Sequence, residues 1–170
     1  SRYKELPKGA ADYLDRDAWL FRSPELAPFF NAIKQCVEFA RENELLLGPG
    51  RGTAPASLAL YGLGFSSVDP LKHDFIPERI WQQAPSLMID VEFERGQPFI
   101  EFCRKATADL KVGEIQAFKL PLLDVIRGAQ TKAGRKIDFD AIDEDSDIVL
   151  SDIRAGNIER IFNFEYSPNA

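Results

Sequence analysis

The sequence predicts an α+β fold, with a mixed central sheet of about four strands and helices packed on it. Three observations predict it. Residues 87–93 alternate: Leu87, Ile89, Val91 and Phe93 face one way, and Met88, Asp90 and Glu92 the other, the period of a half-buried strand. Apolar residues recur at helical spacing in two longer stretches, Leu26 through Ile33 to Ala40 and Leu122 through Ile126 to Ala129. Segments of the two kinds alternate along 170 residues, one domain's length and enough to bury a core.

The elements follow in order. Residues 1–22 have no clean period, and Pro7, Gly9 and mixed charges mark an irregular lead-in to a single domain over 23–170. Ser23-Pro24-Glu25 opens a helix with a capping oxygen, a proline where its missing N–H is harmless, and an acid in the first turn. Pro28 kinks that turn or resets the start, and Asn43 is the stop. Leu45 to Leu47 reads as a buried strand, and a helix follows from about Thr53 to Leu63. Residues 64–85 look irregular, with Asp69-Pro70 and Ile76-Pro77 as turn signals. Pro98 opens a helix to Leu110, and Val112 to Phe118 is a strand with Glu114 and Gln116 on one face. A helix spans about Leu120 to Gly134. Asp145 or Ser146 caps a last helix ending at Gly156, and Ile158 to Phe164 is a final strand.

Composition narrows the function. No apolar run approaches the roughly 18 residues of a membrane helix, so no membrane partner is expected. Two cysteines, Cys36 and Cys103, supply neither a disulfide framework nor a four-ligand zinc site, which makes a reducing, cytoplasmic setting the default. His73 is the single histidine, so a Ser-His-Asp triad has one candidate base. The net charge of −6, from 21 basic and 27 acidic side chains, argues against a tight nonspecific grip on DNA. Residues 111–136 carry six bases against two acids, which leaves weak local DNA contact open; residues 137–170 carry nine acids against two bases.

Two constellations carry candidate chemistry. Gly48-Pro49-Gly50-Arg51-Gly52-Thr53 lets backbone approach a ligand closely and places a forked cation, suited to phosphate, before a helix start. The spacing is neither a Walker loop nor a dinucleotide fingerprint. Phosphate binding and a plain strand-to-helix turn, with Arg51 in a surface ion pair, both remain open. Asp90 and Glu92 put two carboxylates about 7 Å apart on one strand face. They read as a divalent-metal pair or as acids on a wet face.

Glu44 to Thr53, Asp69-Pro70-Leu71-Lys72-His73-Asp74, Phe75-Ile76-Pro77-Glu78-Arg79 and Ile89-Asp90-Val91-Glu92-Phe93, in that order, resemble the palm of the bacterial replicative DNA polymerase III α subunit, the C family. Leu122-Leu123-Asp124-Val125-Ile126, Lys136 to Ile142 and Ile161 to Glu165 resemble a later segment of it. The resemblance implies a nucleotidyltransferase-type palm. It implies that Arg51 and Thr53, with Gly48, Gly50 and Gly52, lie at a nucleotide's triphosphate, and that Lys72 and Arg79 are basic palm positions. The family's first and third catalytic aspartates align with Met88 and Gln116, and its second with Asp90; Glu92 is the next acid of the strand. A thioether and an amide do not replace oxyanions around Mg²⁺. Only 23 residues separate Glu92 from Gln116, where the family holds its thumb.

The expectation is therefore a reduced, degenerate palm without polymerase chemistry. It would be a nucleotide- or replisome-associated binding or regulatory protein, with a deoxynucleoside triphosphate and DNA replication or repair proteins as partners. One alternative is a small nucleotidyltransferase using Asp90, Glu92 and Glu114, with Mg²⁺ held by Asp90 and Glu92. A second is a structural protein-interaction domain. Ser1 in place of a methionine also fits a piece of a longer protein or a trimmed tag.

Overall fold

A computed structural model describes residues 5–18, 22–81, 87–94, 97–138, 141 and 146–157. Its elements in chain order are α1 (Ala10–Asp17), α2 (Ala27–Glu42), a 3-10 helix (Ala54–Ala56), α3 (Leu58–Leu63), α4 (Glu78–Trp81), β1 (Met88–Phe93), α5 (Gln97–Thr107), β2 (Glu114–Lys119), α6 (Pro121–Ala133) and α7 (Asp147–Arg154). The fold is mixed α/β, with seven α-helices and one sheet of two parallel strands among the described residues.

The β1–α5–β2 unit is the centre. Parallel neighbours need a crossover, and α5 supplies it. Met88 stands opposite Glu114, Asp90 opposite Gln116 and Glu92 opposite Phe118. Ile89, Val91 and Phe93 turn inward and are buried. They meet α2 and α5, whose inner faces supply Phe29, Ile33, Cys36, Val37, Phe99 and Cys103. Phe93 and Phe99 lie 5.0 Å apart, and Phe39 stacks on Phe102 at 4.3 Å across α2 and α5. With its inner face dry, β1 presents Met88, Asp90 and Glu92 on the other side.

Several expectations need correction. The sheet of about four strands is reduced to two among the described residues. Leu45 to Leu47 makes a single bridge, Leu47 to Phe93, and not a strand; the loop turns away once Gly48 N–H has reached the Glu92 carbonyl. The strand expected at 158–164 lies outside the described residues. The helix expected from Ser23 begins at Ala27, because Pro28 fits only a first turn and residues 23–26 form a separate turn in which the Ser23 carbonyl accepts from Leu26 and Ala27 N–H. The helix expected over Thr53 to Leu63 splits into the 3-10 turn and α3. Ser57 separates them: it adopts an extended conformation and accepts from Leu60 N–H, a true cap. Residues 64–85 contain α4.

The irregular lead-in over 1–22 contains α1. Its N-cap is Gly9, with no side-chain cap, so the local start signal is only the acid of the first turn, Asp12. Long-range bonds hold it instead. The Tyr13 hydroxyl lies 2.8 Å from the Ala56 carbonyl and 3.0 Å from the Phe75 carbonyl. Asp17, fully buried, accepts from the Ser57 hydroxyl at 2.9 Å and Ala59 N–H at 2.8 Å, at the start of α3. Arg16 and Glu78 pair on the surface beside this clasp.

Burial pushes the Asp17 carboxyl above its ordinary range, and the hydrogen bonds from Ala59 and Ser57 only partly offset it. The folded state therefore holds this proton more tightly than the unfolded chain. Stability falls as pH rises from the ordinary aspartate range through the raised one, since the folded protein must then carry a buried charge. In Asp17→Asn the amide oxygen keeps both bonds. That variant is expected to lose this decline in urea titrations run from acid to neutral pH; a decline of undiminished size would assign it to another group.

Candidate functional site

The glycine loop lies against the outer face of β1. Two backbone bonds place it, Gly48 N–H to the Glu92 carbonyl at 2.8 Å and Glu94 N–H to the Leu46 carbonyl at 2.9 Å. A Cβ at Gly48 would stand 2.6 Å from the Glu92 Cβ and 2.8 Å from its Oε2, so glycine here permits the close approach. The far side is fixed by Ser66 Oγ and Ser67 N–H, which donate to the Pro49 carbonyl at 3.0 and 2.8 Å. Gly50 sits against Pro55 and Ser66, and Gly52 beside Asp90.

This seating brings Arg51 over the two carboxylates. Its Nε is 3.5 Å from Asp90 Oδ2 and its Nη1 3.6 Å from Glu92 Oε1. Its guanidinium carbon is 4.6 Å from the centre of the Phe118 ring, which β2 presents on the same face. The arginine side chain is 45% exposed, against 23% and 13% for the acids, so the cation covers them from the solvent side. Pairs of this exposure contribute about 0.2–1 kcal/mol each, and a half-exposed cation–π contact about 0.5–1 kcal/mol. The contacts holding Arg51 in place are thus individually weak.

The remaining candidates stand around this cluster. Met88 is exposed at the start of β1, and Gln116 faces Asp90 across the strands. Glu114 is exposed opposite Met88, one strand repeat away from the level of Asp90. Asp90, Glu92 and Glu114 therefore lie on one face without converging. Among the described residues no three acidic, histidine or cysteine side chains gather to hold a metal ion. As the side chains stand, two carboxylates share a guanidinium, and their neighbours are a thioether, an amide and an aromatic ring, a poorer donor set for paired metals than three carboxylates.

Thr53 is the N-cap of the 3-10 turn through its carbonyl, but its side chain caps nothing, and its enclosed Oγ1 has no hydrogen-bond partner. Lys72 and Arg79 are exposed on the following segment, Lys72 in the turn closed by Asp69 and Arg79 on α4; both ion pairs of the cluster come from Arg51. His73 stacks on Phe75 at 5.4 Å. Cys36 and Cys103 are buried, and a hydrogen bond that the Cys103 thiol makes to Cys36, together with burial, pushes that thiol up, away from reactivity.

Phe118 is the site residue that sequence reasoning missed. Its signal was present: it lies two residues beyond Gln116 on the same strand face. What was lacking was the parallel register that sets it beside Glu92.

No described helix is long and apolar enough to cross a membrane. The profile of a family described as the bacterial DNA polymerase III alpha NTPase domain matches residues 2–139. The DNA polymerase III subunit alpha of Staphylococcus aureus is 29% identical over 120 residues, covering 67% of this chain and 11% of that protein. The Aquifex aeolicus protein of the same name is 32% identical over 109 residues, covering 62% of this chain and 9% of its own length. The chain thus spans about a tenth of the length of these curated relatives.

Proposed function

Since the chain belongs to the bacterial DNA polymerase III alpha NTPase domain family, we propose that it is a palm-type binding module of the replication machinery that takes a deoxynucleoside triphosphate without polymerising it. The observation that carries this reading is the place of Arg51. A guanidinium stands over Asp90 and Glu92, where the carboxylates of a catalytic palm would face a metal cation. With Met88 and Gln116 at the neighbouring positions and one of the two carboxylate charges balanced by Arg51, the face offers less to a metal than a catalytic palm would.

The other half of the site remains suited to an anion. Arg51 is half exposed on a loop seated by backbone bonds, and its guanidinium can present two donors to one phosphate. Gly50 and Gly52 add no side chain between ligand and backbone. Arg51 would swing from the acids to the ligand, a change opposed only by weak surface pairs. Replication proteins are the partners that such a module would serve.

Calorimetric titration with a deoxynucleoside triphosphate, with and without Mg²⁺, tests this reading. Binding is expected without metal, and Arg51→Ala is expected to weaken it about 10- to 100-fold, the effect of one charged hydrogen-bonding group. Metal-dependent nucleotide incorporation abolished by Asp90→Asn would overturn it in favour of a small nucleotidyltransferase. No binding by the wild type would overturn it in favour of an interaction domain.

A further inference from the structure

We propose that Asp90 and Glu92 act as an internal latch on the glycine loop, holding Arg51 closed and lowering the affinity of the site for phosphate. The inference deepens the reading above and rests on it for the identity of the ligand. It concerns the sign of the carboxylates' effect. In a site where they help to bind nucleotide, removing their charge weakens binding; in a latch it strengthens binding.

The geometry favours the latch. The two carboxylates and Arg51 together carry a net charge of −1, so an incoming phosphate meets an acidic surface unless the cation turns outward. Both acids are more enclosed than the arginine that covers them, and Phe118 supports the guanidinium from the β2 side. Three contacts therefore converge on one movable side chain and favour its inward position. The Gly48 N–H bond to the Glu92 carbonyl holds the start of the loop on β1, so the latch opens by motion near Arg51 and not by release of the whole loop. A ligand that needs the outward arginine binds with an affinity reduced by the fraction of time spent open. Neutralising an acid raises that fraction.

The test pairs two readouts on the full chain: labelling of Arg51 by an arginine-specific dicarbonyl, followed by mass spectrometry, and calorimetric titration with inorganic tripolyphosphate. In Asp90→Asn/Glu92→Gln the labelling rate is expected to rise about 3- to 10-fold, and tripolyphosphate to bind tighter by a similar factor. Each single variant should show part of the effect. Phe118→Leu, which leaves the charges intact, should raise labelling less. Unchanged labelling across the acid variants overturns the latch, as does weaker tripolyphosphate binding in them. Faster labelling with no tripolyphosphate binding by any variant supports the closed arginine, overturns its effect on phosphate affinity and counts against the triphosphate reading, whereas unchanged labelling with intact binding overturns the latch alone.

Discussion

Arg127→Met is expected to lower stability by about 2–4 kcal/mol, because it strands a charge in the interior. Glu94 follows β1 and is 2% exposed. Its carboxylate accepts from Arg127 Nε at 3.0 Å and Nη2 at 2.8 Å, and the same guanidinium donates to the Glu44 carbonyl. One side chain of α6 thereby ties the end of β1 to the turn after α2. Methionine keeps much of the apolar stem and removes the fork. Arg127 retains 22% exposure, so water screens the pair in part and the loss stays below that of a fully buried one. Urea unfolding measures the loss. Adding Glu94→Gln should restore part of it, since the penalty resides in the unpaired carboxylate. A loss below about 0.5 kcal/mol, the range of an ordinary surface change, would show that water already reaches Glu94.

Gly113→Ala is expected to cost about as much, 2–4 kcal/mol, by a different route. Gly113 enters β2 with φ at 94°. A Cβ there would stand 2.4–2.8 Å from three ring carbons of Phe29, which is fully buried at the centre of the α2 packing. Backbone strain and overlap with an enclosed ring add, and the ring has no solvent side to move toward. Thermal or chemical denaturation reports the loss. Phe29→Leu in the same chain should recover some of it by giving the methyl group room; no recovery would place the cost in the backbone alone.

The parts legible in the sequence were those whose cause is local. β1 declared itself because one of its faces is dry and the other wet, and α6 because Leu122, Ile126 and Ala129 recur at helical spacing up to Gly134. The glycine loop and the Asp90–Glu92 pair were legible as residue types. Their joining was not, because Arg51 reaches the acids across β1 only when Leu47 bridges Phe93. The same holds for Glu94 and Arg127, two ordinary charges until the chain brings them together. α1 was missed for the clearest reason: its side chains are satisfied by Ala56, Ser57, Ala59 and Phe75, and its own ends carry almost no signal.

The Tyr13 and Asp17 contacts also bear on the order in which the molecule assembles. The pairing of β1 with β2 closes within residues 88–119, a short loop by the standards of parallel strands. The Tyr13 and Asp17 bonds span 40 to 62 residues. During synthesis α1 emerges well before Ser57 and Phe75 exist, a delay on the order of 2–12 s at ordinary ribosome speeds. Eight residues do not sustain a helix alone in water. The earliest described helix to be made thus waits for partners made later, and a half-made chain leaves that segment open to chaperones and proteases until Phe75 has emerged.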